Sequence, residues 1–309
     1  MPHTMSYPPR RLRRWAITVL VLGVAGLALL AASAWLVGSL LSQPQHRVIG
    51  DPPADWPARS TSVPTDTGGV VKGWMATGQA GHGAVLLLHG VHADRLAMLA
   101  RARWLHQRGF SVLLIDLPAH GESSGERISF GMAEGAGVRA AMAYLRHSVP
   151  GEKMGVIGAS LGGAAMLLAQ ATPRADAVVL ESVFPSIAQA VDNRVRLRLG
   201  PLADVVTPLL VQQLPWRLQL QPAQLRPIDH IAQLGAPVLV AGGTQDQHTT
   251  AAETKQLFAA AQAPKTLWIV EGAGHVDLYR YAPQAYEAQV LGFLSRYLVK
   301  DSQINSKLH

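Results

Sequence analysis

The feature that most restricts the fold is a repeated alternation of short, nearly all-apolar runs with longer segments of helical character. The runs are "AVLLLHG" (84–90), "SVLLID" (111–116), "KMGVIG" (153–158), "AVVLES" (177–182), "PVLVAGG" (237–243) and "TLWIVEG" (266–272). Apolar continuity, in place of strict alternation, marks strands covered on both faces. Between them, "RLAMLARARWLHQRG", "GMAEGAGVRAAMAYLRHS", "LGGAAMLLAQA" and "TAAETKQLFAAAQ" have helical spacing, as does the closing "PQAYEAQVLGFLSRYL". Strand–helix alternation of this kind predicts an α/β domain over residues 63–298, built on a doubly wound, mostly parallel sheet.

One interval breaks the rhythm. About fifty residues, 184–234, separate two strands, where a crossover needs only a dozen or more. The segment is helical but broken by prolines, and it reads as a lid inserted over a pocket.

The stretch "VIGASLGGAAML" (156–167) sets Ser160 between Gly158 and Gly162, after an apolar strand and at the start of a helix. This is the context of the nucleophile elbow G-x-S-x-G. A sharp strand-to-helix turn presents the hydroxyl above the sheet edge, and side chains at 158 and 162 would collide with neighbouring backbone. A serine hydroxyl needs a base, usually an oriented histidine. On such a sheet the chain order is serine, acid, histidine. "GGTQDQHT" follows the next-to-last strand and offers Asp246. "EGAGHVDL" follows the last strand and offers His275, the one histidine of twelve in that loop. Glu181, closing the strand after the elbow, is the rival acid, and Asp277 is read as loop structure. The developing oxyanion requires two N–H donors. Leu161, directly after the serine, supplies one, and Val91 in "HGVHADR" supplies the other. His89, Asp116 and His120 are expected to shape turns, and His248 to be a solvated loop residue.

These elements, with "LLIDLPAHGESSGE" and "VVLESVF", resemble the alpha/beta-hydrolase superfamily, and most closely its membrane-anchored, dienelactone-hydrolase-like serine hydrolases. The resemblance implies a catalytic triad of Ser160, Asp246 and His275, with the backbone N–H groups of Val91 and Leu161 forming the oxyanion hole. It further implies cleavage of carboxylic esters or thioesters through an acyl-enzyme, with a small-molecule acyl ester as substrate and no metal or organic cofactor. Serine at the elbow departs from the superfamily's cysteine-nucleophile branch and from its aspartate-dependent dehalogenases and epoxide hydrolases. Acyl transfer to an alcohol or amine on the same triad, and a non-catalytic tethered scaffold, are the alternatives.

The domain is preceded by "RRLRRWAITVLVLGVAGLALLAASAWLVGSLLSQ", whose residues 15–41 carry no charge. As a helix the run reaches about 40 Å, enough to cross a bilayer core of ~30 Å. The arginines of segment 1–14 precede it, so the positive-inside bias puts the N-terminus in the cytoplasm and the catalytic domain outside it. "ASA" at 32–34 also fits signal cleavage and secretion. The apolar run continues through Trp35, Leu36 and Val37, which favours a retained anchor. Residues 42–62 read as a proline-rich linker, and 299–309 as a polar tail.

The net charge of +7 does not indicate a nucleic-acid partner. Arg10, Arg11, Arg13, Arg14 and Arg47 leave 22 basic against 20 acidic groups in the rest of the chain. With no cysteine, thiolate nucleophiles and disulfides are excluded, while oligomeric state is left open.

Overall fold

The structure is a computed structural model that describes residues 10–171 and 174–300. Residues 1–9 of the basic N-terminal segment and 301–309 of the expected polar tail lie outside the described residues. Eight strands form one sheet: β1 (Ala58–Pro64), β2 (Val70–Ala76), β3 (Ala84–Leu88), β4 (Ser111–Ile115), β5 (Met154–Ala159), β6 (Ala177–Glu181), β7 (Val238–Gly243) and β8 (Lys265–Val270). Their spatial order is β8-β7-β6-β5-β3-β4-β2-β1. The six strands from β8 to β4 are parallel, and β2 and β1 add on antiparallel at one edge.

The central strands are apolar throughout because both faces are covered. Along β3, Leu86 and Leu88 face a cluster that includes Val138, Met142 and Leu145 of helix α3, once α1 (Arg10–Leu41), α2 (Leu99–Gln107) and α3 (Met132–Ser148) are numbered in chain order. Val85 and Leu87 face the opposite cluster, with Leu105 of α2 and Val290, Leu294 and Leu298 of the C-terminal helical run. A period of two thus feeds two separate cores.

The helix after the elbow is α4 (Leu161–Ala169). The segment 184–234 folds mainly into α5 (Ile187–Leu199), α6 (Ala203–Val211) and α7 (Leu214–Leu218), joined by short 3₁₀ turns. Ser186 caps α5 by accepting from the Gln189 N–H, a typical serine N-cap.

One boundary requires correction. The expected linker 42–62 is not a free tether, and the sheet begins at Ala58, ahead of the expected start at 63. Gln45–His46 pairs in parallel with His120–Gly121, the Ile49 and Gly50 N–H groups donate to Glu122, and the Trp56 side chain is buried. Its prolines and polar residues suggested coil, but backbone hydrogen bonds to the 116–122 loop hold it against the domain. Helix α1 is long and apolar enough to cross a membrane.

Candidate active site

Ser160 sits at the β5–α4 junction with φ 48° and ψ −113°. A non-glycine residue at positive φ carries strain of order 1–3 kcal/mol, and here the surroundings enforce it. The Ser160 N–H donates to the Glu181 carbonyl at the end of β6, at 2.8 Å. A Cβ on Gly158 would lie 2.6 Å from Gly163 Cα, and one on Gly162 would lie 2.6 Å from the Leu88 carbonyl oxygen. The glycines therefore allow helix α4 to seat against β5 and β3 at backbone contact distance, which is the reason the serine's neighbours are so small.

The loops after β7 and β8 are stitched together by hydrogen bonds. Thr244 N–H donates to Val270 O at 3.0 Å, and Gln245 N–H to Ala273 O at 2.9 Å. This brings Asp246 and His275 into contact, with His275 Nδ1 2.8 Å from Asp246 Oδ2. The carboxylate can only accept, so Nδ1 carries the proton and Nε2 is left as the basic nitrogen. Asp246 Oδ1 is committed elsewhere, accepting from the His248 and Thr249 N–H groups at 2.9 and 2.8 Å. Burial alone would push this carboxyl up, but the His275 bond and the two backbone bonds outweigh it and hold it below the usual carboxylate value. His275 Nε2 makes no hydrogen bond among the described residues, and neither does Ser160 Oγ. Serine and histidine therefore stand at the same end of the sheet without a direct bond between them.

The loop after β3 runs against the elbow, where a Cβ on Gly90 would lie 3.7 Å from Ser160 Cβ. Two buried histidines brace it. His89 Nε2 accepts from the Leu117 N–H at 3.0 Å, so its Nδ1 donates to the Gly90 carbonyl at 2.7 Å. His120 Nε2 accepts from the His92 N–H at 3.3 Å, and its Nδ1 donates to the Pro118 carbonyl at 2.9 Å. Between these braces, the Val91 N–H donates to no described residue, and the same holds for the Leu161 N–H at the first position of α4. Asp116 accepts from the Arg95 and Glu122 N–H groups at 2.8 and 2.9 Å and pairs with the buried Arg95 guanidinium.

Burial, aided by the neighbouring His120, lowers His89 to about 3 from 6.5. Between those values the unfolded chain binds a proton that the folded chain refuses. Stability is therefore complete above about 6.5 and falls as pH drops toward 3, by at most ~1.4 kcal/mol per pH unit. Urea unfolding at pH 7 and pH 5 checks this. Wild type should lose about 2 kcal/mol more over that interval than His89→Gln, and equal losses would contradict a neutral, buried imidazole.

Glu181 makes no hydrogen bond or ion pair with His275. Its carboxylate is buried against Arg101 at 2.8 Å and accepts from the Tyr286 hydroxyl. Arg101 also pairs with Asp277 at 2.8 Å, and Asp277 caps the next helical turn through the Tyr279 N–H at 3.0 Å. Glu181→Ala would leave Arg101 with Asp277 as its remaining ion-pair partner and the buried Tyr286 hydroxyl without its acceptor, and the expected destabilisation is about 1–3 kcal/mol. Activity per folded molecule should be unchanged within a few-fold, as measured at matched folded fraction. A far larger kinetic loss would reinstate Glu181 as the acid.

Two contacts had no signal in the sequence. The His248 ring lies 5.1 Å from the His275 ring. The His248 carbonyl accepts from Asn193 and Arg194 of α5, at 3.3 and 3.4 Å. The 184–234 segment is thereby fastened to the loop that carries Asp246.

The profile of the alpha/beta hydrolase family matches residues 85–289. An uncharacterised Mycobacterium tuberculosis protein is 34% identical over 224 residues, covering 71% of this chain and 73% of the relative. An alpha/beta hydrolase domain-containing protein of Arabidopsis thaliana is 28% identical over 199 residues, covering 60% of this chain and 61% of its own. Among solved structures, an esterase of Pyrococcus furiosus superposes with a TM-score of 0.69 at 19% identity, over 83% of this chain and 98% of its own. At that identity the superposition speaks for the fold. The profile match takes in β3 to β8, the elbow and both loops that bear Asp246 and His275, and on that match the chain belongs to the alpha/beta hydrolase family.

Proposed function

We propose that the protein is a membrane-anchored serine hydrolase that cleaves carboxylic esters, or thioesters, through an acyl-enzyme. The observation that carries this reading is the Asp246–His275 pair, 2.8 Å apart, at the same end of the sheet as a serine held at positive φ. Structural neighbours from Pyrococcus furiosus and Thermogutta terrifontis are esterases, which adds support.

In this reading His275 Nε2 takes the proton of Ser160 as Oγ attacks the acyl carbonyl. The Val91 and Leu161 N–H groups receive the oxyanion, and losing one such donor costs roughly 10²–10³ in turnover. Asp246 stays ionised, fixes the imidazole tautomer and stabilises the imidazolium. The imidazolium protonates the leaving alcohol or thiol. The ring then activates water, which releases the acid and restores the serine. No metal or organic cofactor is needed for any of these steps.

The anchor (15–41) is assigned to the membrane, residues 58–298 to the hydrolase domain and 184–234 to its lid. The N-terminus is assigned to the cytoplasm and the domain to the other side. Protease added to intact spheroplasts should cleave the domain, and full protection would reverse the orientation. Activity is tested with p-nitrophenyl esters and thioesters of graded chain length on the full-length protein in detergent, with identification of the released acid. Turnover of at least one member is expected. Folded protein that turns over none would overturn the assignment.

A further inference from the structure

The lid reaches down the anchor to the level where a bilayer would begin. About 20 helical residues cross a ~30 Å hydrocarbon core, so a span that starts at Trp15, next to the arginines, ends near Trp35. At that residue the lid takes hold. Arg217 of α7 donates to the Trp35 carbonyl at 2.6 Å and to Ser39 Oγ, with its guanidinium 4.2 Å from the Trp35 ring centre. Ala34, one turn before Gly38, is only 6% exposed. Leu41 of the anchor, Phe130, and Val191, Leu210 and Leu214 of the lid line a small apolar pocket along this seam.

The same lid exposes several large apolar side chains alongside Arg196, Arg198 and Asp204. Trp216 is 83% exposed and Leu202 62%, and Leu197, Leu199 and Val205 are exposed with them. Outside the anchor, the large exposed apolar side chains of the described residues are these five together with Val48, Val276 and Tyr281. A patch of this kind on a soluble face calls for an apolar partner. Its continuity with the anchor at Trp35 indicates which partner. The same helix, α5, bonds the His248 carbonyl beside His275 one turn before Leu197.

We infer that the lid surface formed by Leu197, Leu199, Leu202, Val205 and Trp216 lies in the membrane interface beside the anchor, so that the candidate site draws its acyl ester from the lipid layer. The substrate class, an amphiphilic ester with its acyl chain in the bilayer, rests on the hydrolase reading above, whereas the lipid contact does not. Exposed tryptophan and aliphatic side chains with arginines beside them, here Arg196 and Arg198, suit the headgroup region, where apolar groups enter the acyl boundary and cations meet lipid headgroups.

The absence of native cysteine makes the test direct. L202C, V205C and W216C, each labelled with nitrobenzoxadiazole, are compared in full-length protein in proteoliposomes with K153C, an exposed position just before β5 at the opposite end of the sheet. The three lid probes should shift to the blue and be quenched by doxyl-labelled lipid several-fold more than the probe at 153. Equal quenching at all four positions would overturn the inference. In the triple variant L202S/V205S/W216S, kcat/KM should fall about tenfold for a monoacyl ester dispersed in the bilayer and stay within about twofold for p-nitrophenyl acetate. Parallel loss on both substrates would overturn the delivery route. Quenched lid probes in a wild type that hydrolyses neither ester would retire the hydrolase reading and keep the lipid face.

Discussion

Replacing Ser160 with alanine is expected to lower kcat/KM for p-nitrophenyl esters by roughly 10⁵–10⁶, and His275→Ala by a similar factor. In the proposed mechanism the two act as one unit. Without Oγ there is no acyl-enzyme, and without the imidazole the hydroxyl keeps its proton. The double variant should therefore be little worse than either single variant, whereas independent contributors would multiply. What activity remains would come from the two N–H donors and from substrate positioning. The serine side chain makes no hydrogen bond among the described residues, so its removal should leave the thermal midpoint within about a few degrees of wild type. Steady-state kinetics and a thermal melt on the same preparations separate lost chemistry from lost fold.

The second large effect concerns the acid. Asp246→Asn should lower kcat by about 10⁴, for a reason specific to this loop. Oδ1 accepts from two backbone N–H groups, those of His248 and Thr249. In the asparagine variant the amide oxygen must occupy that place, which turns the NH₂ group toward His275 Nδ1. That nitrogen must then accept, so the ring proton moves to Nε2 and the base loses the lone pair that faces the serine. Asp246→Asn should thus be nearly isosteric and well folded yet almost inactive. A loss under tenfold would mean that Asp246 does not set the tautomer.

The parts of the fold legible in the sequence are those where one physical requirement dominates. Strands β3 to β7 are buried on both faces, so their composition alone marks them, and β8, although mostly half-exposed at the far edge of the sheet, keeps a similar apolar run. The elbow is legible because three backbone segments meet at Gly158 and Gly162 and exclude side chains there. Strands β1 and β2 left no such mark. β1 lies at the sheet edge with most of its side chains at least partly exposed, and polar residues in "ARSTSVP" look like loop. The 42–57 arm was hidden for a related reason, since its fixation comes from backbone bonds to Glu122 and to the 119–121 segment, which side-chain pattern does not encode.

At the candidate site, chain order pointed to Asp246 and His275, and the structure brings them into contact. It could not separate Asp246 from Glu181 by chemistry, because both are carboxylates at carboxyl ends of neighbouring strands. Burial opposite Arg101 distinguishes Glu181, and that pairing spans eighty residues. The fastening of α5 to the His248 carbonyl, and of Arg217 to Trp35, are long-range contacts between segments of unremarkable composition, with no periodicity to reveal them.

The most direct test of the Ser160–His275–Asp246 assignment is mass-spectrometric mapping of a fluorophosphonate adduct on full-length protein. The expected result is a single adduct on Ser160 in wild type, absent in Ser160→Ala and strongly slowed in His275→Ala. An adduct on another residue, or equal labelling of the His275→Ala variant, would contradict it.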